Sequence, residues 1–187
     1  MNATRRSIVT GAAALAGAIG PFAVPAALAA SRAGLTADAL GALHKLEAED
    51  DGARALARRA RAILVFPSIV KAGLVFGAET GDGALLVGGA AEGFYNISGA
   101  SWGLQIGGQA FSLALFFMNP SSLRYLRRSA GFSVGTGPSI VVVSKGAGAH
   151  ADTTTLSHDV YAFPFSQKGL MADLTLQGTK ITAIHPH

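Results

Sequence analysis

The sequence predicts an α+β fold in which N-terminal helices pack on a large, mainly antiparallel sheet or partly closed β-barrel. Three observations point there. From Thr36 to about Ala62 the apolar residues recur at helical spacing. From Ile63 onward, apolar runs of about four to eight residues alternate with glycine-rich punctuation, the texture of strands and tight connections. One helical stretch, Asn119 to Arg128, interrupts that texture.

Ahead of these elements, residues 1–29 read as an export signal. Arg5 and Arg6 form a charged start, a small-residue apolar stretch follows, and Ala27-Leu28-Ala29 is a cleavage site of A-x-A type. Thr4-Arg5-Arg6-Ser7-Ile8-Val9 resembles a twin-arginine signal, and the mildly apolar Gly/Ala-rich centre fits that route. An ordinary secretory signal carrying two arginines is the other reading. Either route predicts a periplasmic or secreted protein, with residues 30–187 as a single domain long enough to build a core.

Thr36 is the expected N-cap of a first helix that carries Leu40, Leu43 and Leu46, and Asp50-Asp51-Gly52 interrupts before a second begins. In that second helix Arg54, Arg58 and Arg61 fall within one narrow arc at about 100° per residue, with Leu56, Ala60, Ile63 and Leu64 opposite. The result is a cationic, amphipathic helix. Pro67 is expected to end the apolar stretch Ile63-Leu64-Val65-Phe66. The runs SIVKAGLVFGAE, ALLVGGA and FYNISGASWGLQIGGQ follow, and Thr80-Gly81-Asp82-Gly83 between the first two is a hairpin signal. Between Phe111 and Phe117 both the odd and the even positions are apolar, which predicts a central strand covered on both faces; periodicity alone also allows a buried helix. Asn119 then caps a short helix, Pro120 takes its first position and Gly131 can end it. Strands resume with SIVVV, TTTLS, DVYAFPF, LMADLTLQ and KITAI.

Composition removes several function classes. Cysteine is absent, which excludes a lipidated N-terminal cysteine, disulfides and thiolate metal or redox chemistry. The chain has 15 Lys+Arg against 11 Asp+Glu; without Arg5 and Arg6 the balance is 13 against 11, no nucleic-acid signature. The glycines at 103, 107 and 108 read G-x-x-x-G-G with no lysine following, so they form no phosphate cradle. Gly99, Gly103 and Gly107 mimic a membrane-helix contact face, but Ser101, Gln105, Gln109 and Ser112 break the apolar run, and no transmembrane span is expected.

Candidate chemistry is equally thin. Gly131-Phe132-Ser133-Val134-Gly135 matches G-x-S-x-G, with Asp152 and His158 following in triad order, yet a nucleophile elbow needs a strand before the serine and a helix after it. Here the order is reversed. The five histidines lack metal-site spacing, and Glu47, Glu49, Asp50 and Asp51 read as a solvated face with local ion pairs. No catalytic residue, metal or cofactor is therefore expected. Two basic clusters remain: Arg54, Arg58, Arg59 and Arg61 with Lys71, and Arg124, Arg127 and Arg128. Guanidinium binds lipid phosphate bidentately while an apolar flank buries acyl carbons. Simple solubilisation of two surface helices is the alternative.

Several stretches then align with one family. Arg61-Ala62-Ile63-Leu64-Val65-Phe66-Pro67 with Lys71-Ala72-Gly73, Gly103-Leu104-Gln105-Ile106-Gly107-Gly108-Gln109, Gly137-Pro138, and Tyr161 through Gly169-Leu170-Met171 to Leu176-Gln177-Gly178 resemble the SYLF domain in family order, over roughly residues 36 to 185. That family includes bacterial secreted proteins and eukaryotic regulators of cortical actin. The resemblance makes Gly103, Gly107 and Gly108 structural glycines of a core strand and implies a non-enzymatic lipid-binding module. Eukaryotic members bind phosphoinositide membranes through basic residues and an N-terminal amphipathic helix, and some bind actin. The Arg54–Arg61 segment matches that role by position and character. Where the family's closing segment usually reads tyrosine-serine, Tyr161 here precedes Ala162-Phe163-Pro164-Phe165.

For an exported protein the expected partner is anionic phospholipid, bound reversibly by the arginines with Leu56 or Phe94 at the acyl boundary. The other reading is a periplasmic scaffold that docks a protein through the Trp102 and Tyr125 region.

Overall fold

The computed structural model describes residues 31–73, 76–102, 107–128, 132–133, 137–143, 158–168 and 178–187. The expected export signal, the TTTLS and LMADLTLQ runs, Gly103, Gly131 and Asp152 lie outside the described residues.

Helix α1 spans Arg32–Glu49, and its cap is Ser31 instead of Thr36. Ser31 is extended and its hydroxyl accepts from the Gly34 amide at 3.1 Å. Thr36 lies one turn inside, where its Oγ1 donates to the Arg32 carbonyl at 2.7 Å. Asp50 ends α1 and starts α2 (Asp51–Ala57): its amide donates to the Leu46 carbonyl, and its Oδ1 accepts from the Ala53 amide, both at 2.9 Å. The second helix stops at Ala57, five residues short of the expected end. Ile63 and Leu64 belong to a strand, because the β-branched, aromatic run from Ala62 finds a partner strand on each side.

The strands are β1 Ala62–Gly73, β2 Phe76–Val87, β3 Ala90–Trp102, β4 Gly107–Phe117, β5 Phe132–Ser133, β6 Ile140–Val142, β7 Val160–Lys168 and β8 Lys180–Ile184; α3, Pro120–Arg128, follows β4. They form an eight-stranded sheet in the order β5-β8-β3-β2-β1-β4-β7-β6. All its pairings are antiparallel except β6 with β7. The expected α+β architecture, helices on a mainly antiparallel sheet, is what the chain adopts.

Pro67 does not end β1. The strand runs through it at a register shift between Phe66 and Ile69, where the missing N–H costs nothing to the ladder, and Ser112 Oγ donates to the Pro67 carbonyl at 2.7 Å. Nor do Thr80-Gly81-Asp82-Gly83 turn the chain: they lie inside β2, paired with Ser98 to Tyr95 of β3. Their glycines serve close approach. A Cβ on Gly81 would stand 2.6 Å from the Ser68 carbonyl oxygen, and one on Gly83 2.5 Å from that of Val65, so β2 can cross the bulged part of β1 only without side chains. The hairpin falls at Gly88-Gly89, both at positive φ (58° and 85°), as a two-residue primed turn requires.

The sheet has apolar matter on both faces. Leu64, Phe66, Leu113, Leu115 and Phe117 share one core with Leu123 and Leu126 of α3; Ile63, Val65, Ala114 and Phe116 share the other with Leu35, Leu43 and Leu46 of α1 and Leu56 of α2. Every residue from Phe111 to Phe117 is buried, which makes β4 the doubly covered central strand that its sequence predicts. In α3 the expected cap is present: Asn119 Oδ1 accepts from the Ser122 amide at 2.9 Å, and Pro120 holds the first helical position.

Candidate functional site

The basic residues predicted from sequence divide into three groups. Arg54, Arg58 and Arg61 line one cavity of about 560 Å3, together with His44 and Glu47. Its walls are α1, the turn from α2 into β1, and the Gly88-Gly89 hairpin. Leu40, His44 and Glu47 recur at i, i+4 and i+7, the spacing that puts them on one face of α1.

Local backbone bonding explains why three arginines converge once the helix has stopped. Asp50 restarts the chain as α2, so Arg54 sits in its short helix and Arg58 is its C-cap. Arg59 and Ala60 both donate to the Leu56 carbonyl, at 3.0 and 2.8 Å, winding the chain tightly. The Arg61 amide then donates to the Phe117 carbonyl at 2.8 Å, which ties the turn to the end of the central strand. A helix continued to Ala62 would have carried these side chains along its axis; the turn gathers them at a corner. Gly88 and Gly89 add no side chains to the opposite wall, and a Cβ at either would meet nothing within 4 Å. The cavity mouth is therefore open.

Arg54 forms an exposed ion pair with Asp51 at 2.7 Å. Such pairs contribute at most about 1 kcal/mol and exchange readily for another anion. Among the described residues, His44, Glu47, Arg58 and Arg61 take part in no ion pair or side-chain hydrogen bond. Arg59 is exposed at the same turn without lining the cavity.

Lys71 does not join this group. It is 5% exposed and faces Glu79, itself 3% exposed, across the β1–β2 ladder at 3.7 Å. Burial pushes the Glu79 carboxyl above its ordinary range, while the charge of Lys71 beside it acts in the opposite sense. Glu79 Oε2 has no hydrogen-bond partner. Gly99 leaves room for this carboxylate: a Cβ there would stand 3.0 Å from Oε1. Lys71 thus serves the interior of the sheet.

The third group, Arg124, Arg127 and Arg128, is exposed on α3, with Arg127 paired to Glu92 of β3. Because α3 packs on the sheet face opposite to α1 and α2, the two arginine groups lie on different faces. Both stand at the end of the sheet where β1 begins and β4 finishes, since Ala62 pairs with Phe117.

The expected apolar boundary residues are elsewhere. Leu56 (2% exposed) and Phe94 (6%) belong to the core under the helices, so neither is free to enter lipid. Phe94 instead carries the Arg32 guanidinium over its ring, 5.4 Å from the centroid. Tyr125 is 38% exposed on α3 and meets Phe132 edge-on; of Trp102 the description extends to its backbone, which pairs with Phe76. Gly107 and Gly108 open β4 opposite Gly73 and Ala72, and Gly103 lies outside the described residues.

Helix α3 precedes the two-residue strand holding Ser133, the reverse of a nucleophile elbow. No cluster of metal-ligating side chains and no helix long and apolar enough to cross a membrane occurs among the described residues. The residues sequence reasoning missed are His44 and Glu47, whose signal was their helical phase relative to Leu40, and the Gly-Gly turn that leaves the cavity open.

Residues 98–185 match the Ysc84 family model, described as Las17-binding protein actin regulator. The match runs from within β3 to the end of β8, so α1, α2 and the arginine-lined cavity precede it. No curated protein matches the sequence.

Proposed function

We propose that this chain, whose residues 98–185 match the Ysc84 (SYLF) family model, is a non-enzymatic binding module that attaches reversibly to anionic phospholipid at a membrane surface. The observation that carries the reading is the convergence of Arg54, Arg58 and Arg61 on one open cavity, with Arg58 and Arg61 in no ion pair among the described residues. Three guanidinium groups gathered beside the single carboxylate of Glu47 leave the cavity net positive, and phosphate offers each guanidinium a bidentate acceptor. Leu40, half-buried in the same wall, supplies apolar surface for the first carbons behind a headgroup.

Each arginine near an anionic surface contributes about 1 kcal/mol, screened over a Debye length of about 8 Å at physiological salt. Arg124 and Arg128, at the same end of the sheet, add long-range attraction. The site acts where residues 1–29 deliver it, outside the cytoplasm, if they serve as the export signal their pattern resembles.

Flotation with vesicles tests the reading. Binding should grow with anionic lipid and fall with salt, and the triple variant Arg54→Glu, Arg58→Glu, Arg61→Glu should lose it while keeping the fold. Retained binding in that variant would remove the corner from the site. Exposed Tyr125 supports a second reading in the spirit of the family's description, docking of a protein partner; a partner that co-purifies, with indifference to lipid, would favour it.

A further inference from the structure

The cavity at the α2–β1 corner holds one carboxylate among its cations. Glu47 lines it beside His44, Arg54, Arg58 and Arg61, half-buried, with no ion pair or hydrogen bond among the described residues. A site built only to collect phosphate gains nothing from a negative charge in its wall, which lowers the local potential and repels the ligand. Nor is Glu47 consumed in neutralising the arginines: the carboxylate that pairs with Arg54 is Asp51.

Positive and negative groups left unpaired in one cavity match a ligand that itself carries both signs. The cavity, about 560 Å3, exceeds the volume of a phospholipid headgroup, and its charges stand on different elements: Glu47 on α1, the arginines on α2 and the turn after it. Resting on the lipid-binding reading above, we infer that this cavity selects headgroups bearing phosphate and a primary ammonium together, of the phosphoethanolamine type. Arg54, Arg58 and Arg61 take the phosphate, and Glu47 accepts hydrogen bonds from the ammonium. A quaternary ammonium has no N–H to donate and is larger, so a choline headgroup forfeits that contact. Glu47 is thereby the specificity residue, and the arginines supply affinity common to all phospholipids.

The test uses the whole purified protein and vesicles of constant anionic fraction whose remaining lipid is either ethanolamine- or choline-headed. The inference predicts about fivefold tighter binding to the ethanolamine vesicles, the factor of a partly exposed ion pair. Glu47→Gln should erase that preference and tighten binding to the choline vesicles, because it removes a negative charge that repels phosphate. Because ethanolamine lipids also alter bilayer packing, the variant decides: a preference that survives Glu47→Gln overturns the assignment, as does equal binding of the wild type to both vesicles. Soluble O-phosphoethanolamine that competes better than glycerol 3-phosphate for the wild type, and not for Glu47→Gln, would show that the free headgroup suffices; competition by neither, with the vesicle preference intact, places recognition in the lipid. A headgroup preference that depends on Glu47 but ignores anionic fraction and salt would uphold this inference and overturn the surface-attraction reading. Salt-sensitive binding without any headgroup preference would do the reverse.

Discussion

Two groups of charged residues in this chain meet opposite fates within about a dozen positions of one another. At the α2–β1 corner three arginines face an open cavity, two of them without ionic partners among the described residues. In the sheet, Lys71 is shut in with Glu79. The difference lies in the element, not in the charge. A tight turn exposes whatever it carries, whereas a strand with neighbours on both sides commits alternate side chains to an interior where a cation persists only beside an anion. A basic residue in an apolar strand is thus a poor candidate for a surface site, and one in a turn a good candidate.

The largest expected effect breaks the buried half of this comparison. Lys71→Met leaves the Glu79 carboxylate buried and uncompensated and should destabilise the fold by about 3–5 kcal/mol. The double variant Lys71→Met, Glu79→Leu should recover more than half of that loss in denaturant titrations. The pH dependence has a definite sign. Glu79 is held above its ordinary value of 4.5, so the folded chain takes up the proton first, and the deficit of Lys71→Met should shrink as pH falls from neutrality toward 4.5. A deficit independent of pH would show that lost packing, not charge, is responsible.

Next in size is Gly83→Ala. The new methyl would press on the Val65 carbonyl 2.5 Å away and on the Phe66 ring, and the expected cost is about 2–3 kcal/mol. Gly88→Ala serves as its counterpart: space there is open, so its smaller loss reflects positive φ alone and should leave the cavity able to bind.

A smaller effect sharpens the contrast from the surface side. Asp159 Oδ2 accepts from the Ser139 amide at 2.9 Å and Oδ1 from Asn119 Nδ2 at 2.6 Å, bonds that hold its carboxyl below the ordinary aspartate value of 3.8. Its contribution is complete above pH 3.8 and is lost as pH falls further, through the lowered value. Asp159→Asn should therefore lower stability at neutral pH and flatten the acid limb of the stability curve. An unchanged acid limb would remove these bonds from the account.

Much of the architecture was legible because single-residue chemistry decided it. Apolar residues at both odd and even positions of 111–117 pointed to a strand covered on both faces, with a buried helix as the alternative, and Asn119-Pro120 described a helix start. The errors share a cause, which is that tertiary pairing overrode a local signal. Asp82-Gly83 has hairpin chemistry, yet Gly81 and Gly83 are required where β2 crosses the bulge of β1, a need invisible without knowing that those strands are neighbours. Thr36 has capping chemistry, but Ser31 stands earlier and is also a good cap. The arc of Arg54, Arg58 and Arg61 was real as spacing and wrong as helix, since β1 recruits the chain from Ala62. Those arginines still converge, through a turn that the pattern did not contain. Leu56 and Phe94 were read as boundary residues from hydrophobicity alone, which does not distinguish a core from an exposed patch.

The most direct test of the central claim is to find which part of the molecule touches the headgroups. Amide signals should be followed as the protein binds anionic bicelles carrying a paramagnetic label at the phosphate level. The account predicts broadening at Arg58, Arg61, Gly88 and Gly89, with Gly77 at the far end of β2 unaffected. Uniform broadening, or broadening that spares the α2–β1 corner while affecting Gly77, would contradict it.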